Sequence, residues 1–189
     1  MIAESVSAPH GQSCYQVRFD WGAVGAARIA DGADVIVWVD VLQDREDSRM
    51  PASTMPDGPA VIGGGLTTAS AAARFVLDAQ VRLGRRATVA IVAAGGNEAG
   101  GGIRFAVEDL LGAGAVVDAL ARLGLDHSSP EAAAACAAFT GLRGAVGHLV
   151  TACGSARELA VSGGNQEATR SAGLVDALDV VTLLQVAQR

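Results

Sequence analysis

A chain of 189 residues has room for one domain with a sizeable core. With 50% hydrophobic and 18% charged residues, it carries too much apolar material for a disordered chain. A net charge of -6 offers no basic stripe for nucleic acid, whereas a small anion stays open because one arginine or a metal can reverse the field inside a cleft.

In chain order, residues 16–19 read as a short strand and 22–30 as a small helix. Residues 34–42, DVIVWVDVL, form a β-branched apolar run suited to a central strand buried on both faces. The polar, proline-bearing residues 43–59 predict an exposed, flexible loop. Residues 59–62 predict a strand that ends at the Gly63-Gly64-Gly65 turn. A helix follows over 67–83, with Ala71, Phe75, Leu77 and Val81 toward the buried side and Gly84 past its end. Residues 88–92 predict the next strand and 107–123 the next helix, with Leu110, Leu111, Gly114 and Val117 along one face. Ser129 and Pro130 hold the usual starting positions of an alanine-rich helix. Two shorter helices, 144–152 and 155–161, and a last strand, 178–184, complete the chain. This alternation predicts a single α/β domain over 1–189, a three-layer α/β/α arrangement with a mixed or largely parallel sheet.

Cys14, Cys136 and Cys153 are odd in number and widely spaced, and His10, His127 and His148 have no metal-ligand spacing. Reduced thiols are expected, with Cys136 and Cys153 packed on helices. The first residues, MIAESVSAPHGQ, lack a signal pattern, and no apolar run reads as long enough to span a membrane, so a cytoplasmic protein without membrane contact is expected.

The residues that bear on chemistry sit at strand-to-helix junctions. Glu108 and Asp109 lie where the glycine-rich loop 95–102 turns into an apolar helix, the place where open α/β sheets put ligands. Two hard oxygen donors there suit a hydrated magnesium ion beside a phosphate, but acids in a first helical turn also simply complement the helix dipole. Asp40 interrupts an apolar strand near its C-terminal end, where it reads either as a group in the ligand crevice or as a structural cap. The turn Gly63-Gly64-Gly65-Leu66-Thr67-Thr68 offers backbone N–H groups and a hydroxyl to an anion, with N-capping by a threonine as the simpler role. It lacks the lysine of a P-loop. Arg104 suits a phosphate or sulfonate, or a surface ion pair. Ser53, Thr54 and Ser155 lack the setting of a nucleophile elbow, and Asp44, Glu46 and Asp47 read as a solvated face.

Taken together, VIVWVDVL, GGGLTTASAAA, VAIVAAGG, FAVEDLLGAGAVVDAL, SPEAAAACAAF, CGSARELAVSG and LVDALDVVTLL resemble, in the same order, the 2-phosphosulfolactate phosphatase family of the coenzyme M biosynthesis type. The resemblance runs from about Asp34 onward and is most specific at VDVL and VEDLLGAGA. It implies a magnesium-dependent phosphatase acting on a small anionic phosphate ester such as 2-phosphosulfolactate. Asp40, Glu108 and Asp109 would hold Mg2+, Asp40 and Glu108 would be catalytic, and Gly64, Gly65, Thr67 and Arg104 would contact substrate. The chain departs from the family where Gln43-Asp44-Arg45-Glu46 replaces the usual arginine after VDVL, where the turn lacks its asparagine, and in a much shorter segment between these motifs. The rival expectation is a catalytically degenerate member acting as a small-acid-binding or homo-oligomeric scaffold.

Overall fold

The structure, a computed structural model, describes residues 9–43, 55–98 and 100–187. The apolar run at 34–42 forms strand β2, Val35–Val39, with every residue buried, as a strand covered on both faces requires. Around it lie β1 (Val17–Trp21), β3 (Ala60–Gly64), β4 (Val89–Ala93) and, late in the chain, β7 (Thr182–Gln185). The sheet order is β1-β4-β2-β3-β7, parallel except for β7, which pairs antiparallel with β3 at one edge. Two short strands, β5 (Gly96–Asn97) and β6 (Ile103–Arg104), form a separate hairpin that starts in the region read as a glycine loop and ends just past it.

Alternation along the strands divides the core. Val35, Val37, Val39, Val89 and Ile91 face helices α2 (Ala69–Leu83), α3 (Val107–Arg122) and α4 (Pro130–Leu142), whereas Ile36, Trp38, Ala90 and Val92 face α1 (Gly22–Ile29) and Met55. The architecture is the expected α/β one, with helices on both faces of a mostly parallel sheet. Its coverage is unequal, because α1 makes its main sheet contacts with β1 and β4.

Several local expectations shift. Gly63 and Gly64 belong to β3 itself, and a 3-10 turn, Leu66–Thr68, precedes α2. Thr68 stands at the N-cap of α2 but makes no side-chain cap bond; Asp176 caps instead, accepting from the Ser70 amide at 2.7 Å and its hydroxyl at 2.8 Å. Val81 is 72% exposed, because the helix settles on its alanines and Val76, and five residues on is about 140° around the axis. Ser129 accepts the Ala132 amide at 3.1 Å with Pro130 in the first turn, as expected. Helix α7, Gln166–Ala172, was not anticipated; Asn165 caps it through the Glu167 and Ala168 amides. The loop expected over 43–59 falls largely on residues 44–54, outside the described residues, and Met55 at its end is buried.

Residues Pro130–Val161 are, by length and composition, long and apolar enough to cross a membrane, contrary to the expectation that no such run exists. Alanine and glycine between sparse charges give that hydropathy without a continuous large-side-chain run. The stretch is divided into α4, α5 (Val146–Ala152) and α6 (Gly154–Val161) by a 3-10 turn and an extended Cys153, and Ala135, Phe139, Val146, Val150 and Leu159 sit in the core. Cys14, Cys136 and Cys153 form no disulfide.

Candidate functional site

Helix α3 reaches the sheet through its glycines. A Cβ on Gly112 would lie 2.8 Å from Val39 and Val41 side-chain carbons, and one on Gly114 would lie 2.1 Å from the Ala135 carbonyl oxygen of α4. Close packing on both sides drives the first turn of α3 into the crevice between the C-terminal ends of β2 and β4. Glu108 and Asp109 enter that crevice, each only 3% exposed.

They part there. Asp109 Oδ1 accepts the Val41 amide at 2.8 Å, just beyond β2, and Oδ2 accepts the Gly95 amide at 2.9 Å, just beyond β4. Gly95 makes its bond from a left-handed conformation, φ 68°, with Ile103 packed where a side chain would stand. Burial pushes the Asp109 carboxyl up to about 8, with Asp40 and Glu108 adding to the rise and the two amides opposing it. Glu108 faces Cys153 instead. That thiol donates toward the Val150 carbonyl at 3.2 Å and accepts the Ala156 amide at 3.4 Å. Burial, with the charge and hydrogen bonding of Glu108, pushes it up to about 11, so it is not a thiolate nucleophile at neutral pH.

Asp40 follows β2 directly, is 9% exposed and lines an open groove of about 850 Å3. Gly64, Gly65 and Thr67 line the same groove. Its other walls come from α6, α7 and residues 174–184, which sequence reading had not connected with the site. Arg104 is elsewhere, on β6, paired with Glu158 of α6 at 3.4 Å. The structure thus joins Asp40, Gly64, Gly65 and Thr67, sets Glu108 and Asp109 behind them in the crevice, and leaves Arg104 outside. No described lining residue is a lysine, arginine or histidine.

Gly64 packs closely in the groove wall, where a Cβ would lie 2.4 Å from Val37 Cγ1. Trp38 is a further lining residue that sequence reading missed; the signal was an indole inside an otherwise aliphatic strand, whose N–H needs an acceptor once buried. Arg45 and the acidic cluster at Asp44, Glu46 and Asp47 lie outside the described residues.

Magnesium is the group the family resemblance implies. It asks for ionised oxygen donors converging in near-octahedral geometry. Asp109 has both oxygens bonded to amides and a raised proton affinity, and Glu108 is turned to a thiol. Among the described residues, no group of three or more histidine, cysteine, aspartate or glutamate side chains stands together as a metal site. The described donors do not fit magnesium. No protein-family model matches the chain, and no curated protein matches it.

Proposed function

We propose that this chain is a catalytically degenerate α/β protein, its scaffold resembling that of the 2-phosphosulfolactate phosphatases, that binds a small molecule in the groove beside Asp40 without hydrolysing a phosphate ester. The observation that carries this reading is the commitment of Asp109. A carboxyl group whose two oxygens hold the ends of β2 and β4 is a structural tie across the crevice where a ligand would otherwise enter. The lining supports the same reading, because no described lining residue is a lysine, arginine or histidine that could receive a dianion.

One observation favours the alternative, a magnesium-dependent phosphatase for a small phosphorylated sulfo acid. Asp40, Glu108 and Asp109 are near enough for the first two to act electrostatically on the third, at the strand ends where α/β enzymes work. The deciding experiment is an assay of the purified chain with magnesium on 2-phosphosulfolactate, p-nitrophenyl phosphate and a panel of small phosphate esters. No turnover above the blank is expected. Magnesium-dependent turnover that EDTA abolishes and Asp40→Asn removes would overturn the degenerate reading.

Homo-oligomerisation and a cytoplasmic location belong to the same proposal. The edge strand β7 supports the first, with Leu183 and Leu184 exposed beside Val186. The free thiols Cys14, Cys136 and Cys153 support the second.

A further inference from the structure

The two edges of the sheet are finished differently. Beyond β1 the chain supplies its own cover: Ser128 bridges to Val17, the Gln16 and Val17 amides donate to the His127 carbonyl, and the Ser129 amide donates to the Val17 carbonyl. Arg18 and Asp20 also place charge on β1, which disfavours pairing with another chain. At the opposite edge β7 pairs with β3 on one side, and among the described residues no strand or bridge occupies its other side. Alternate residues of an edge strand aim their N–H and C=O groups outward, where they form a template for a further strand.

β7 lacks the charges and prolines that ordinarily keep such an edge single, since residues 180–187 contain neither. The surface around it is apolar: Leu174, Leu178, Val180 and Val186 are exposed by 56%, 56%, 78% and 68%, beside Leu183 at 51% and Leu184 at 41%. Together these residues expose on the order of 600 Å2, close to the roughly 800 Å2 that a standard interface takes from each partner. Two properties select a second copy of the chain as the occupant. An antiparallel edge is complementary to itself, because a two-fold axis normal to the sheet brings the outward N–H groups of each strand to the carbonyls of the other. The uncharged segment also lets two chains of net charge -6 meet without setting like charges opposite one another.

We propose that β7 pairs antiparallel with β7 of a second copy, joining two five-stranded sheets into one continuous sheet and closing the assembly at two chains. The proposal rests on the proposed homo-oligomer and gives it an interface, a symmetry and a stoichiometry. Because the axis is normal to the sheet, both copies present the same face, and the grooves lined by Thr182 and Leu184 of each open side by side.

Sedimentation velocity of the full chain from about 1 to 100 μM tests it, with twice 19.0 kDa expected as the limiting mass. Leu183→Lys sets like charges across the axis and is expected to weaken self-association at least about tenfold. Should that variant not fold, as judged by thermal melts, Val186→Lys, just past the strand and outside the core, is expected to cause the same loss. Amide exchange at residues 182–185 is expected to slow in the dimer and to quicken again in the folded variant. A wild-type dimer that persists unchanged in the folded lysine variants would overturn the β7 interface and leave homo-oligomerisation standing. A mass that climbs past two chains would overturn the closed two-fold pairing in the same way. A wild type that stays at 19.0 kDa throughout would overturn the homo-oligomer as well and leave the edge to another occupant, so the failures are told apart.

Discussion

The Asp109 carboxyl accepts the backbone N–H of Val41 at 2.8 Å, joining the first turn of α3 to the end of a strand 68 residues earlier in the chain. With Gly95 on its other oxygen, one side chain closes the crevice between β2 and β4. Removing it strands two amides in a buried setting, each costing about 1–3 kcal/mol. Asp109→Ala is therefore expected to lower the unfolding free energy by roughly 2–5 kcal/mol in urea melts. Amide exchange at Val41 and Gly95 should quicken with it. A loss below about 1 kcal/mol would show that the tie is incidental.

The same carboxyl gives the fold a pH dependence of unusual sign for an aspartate. Its proton affinity rises on folding, from 3.8 to about 8, because burial penalises the charge. The native state then holds a proton that the unfolded chain has released. This group's stabilisation is fully present below pH 3.8, declines as pH rises, and is lost above about pH 8. Urea midpoints between about pH 5 and pH 9 should fall for the wild type and fall less for Asp109→Asn, which cannot ionise. Equal slopes in the two proteins would place the titration elsewhere.

How much of this was legible in the sequence depends on the range of the interaction. VIVWV announced a strand buried on both faces through β-branching alone, and Ser129-Pro130 announced a helix start through caps that act within one turn. Glu108 and Asp109 were legible as a feature but not as a pair. Neighbours on a helix point about 100° apart, so one reaches Cys153 and the other the strand ends. The cap of α2 was hidden because Asp176 lies 106 residues beyond Ser70. The groove was hidden for the same reason: Trp38 and Gly63 meet Thr182 only once β7 joins the sheet.

Gly114 offers a test of the α3–α4 contact that places the crevice acids. Alanine in mid-helix ordinarily gains about 1 kcal/mol over glycine. Here its Cβ would stand 2.1 Å from the Ala135 carbonyl oxygen and 2.8 Å from Phe139 Cβ. Backbone cannot yield as a side chain does, so Gly114→Ala is expected to destabilise by roughly 2–4 kcal/mol despite the propensity gain. Thermal melts of the single variant decide it; an unchanged or raised Tm would mean that the two helices separate freely.

Asp176 links helix capping to the groove. It sits at φ 54°, a left-handed conformation that aspartate and asparagine tolerate better than alanine. Its carboxylate caps α2 through Ser70, while its own amide donates to the Leu66 carbonyl at 2.9 Å and the Leu178 amide donates to the Thr67 carbonyl at 2.9 Å. These bonds hold residues 174–178 against the turn that forms the groove's upper rim. Asp176→Ala loses the cap and gains backbone strain, for an expected cost of about 1–3 kcal/mol, and Asp176→Asn, which keeps one acceptor and fits the conformation, should cost less. Urea melts decide it, with stability expected to fall in the order wild type, Asp176→Asn, Asp176→Ala. A loss as small for alanine as for asparagine would show that the left-handed backbone at Asp176 carries no strain that the side chain relieves.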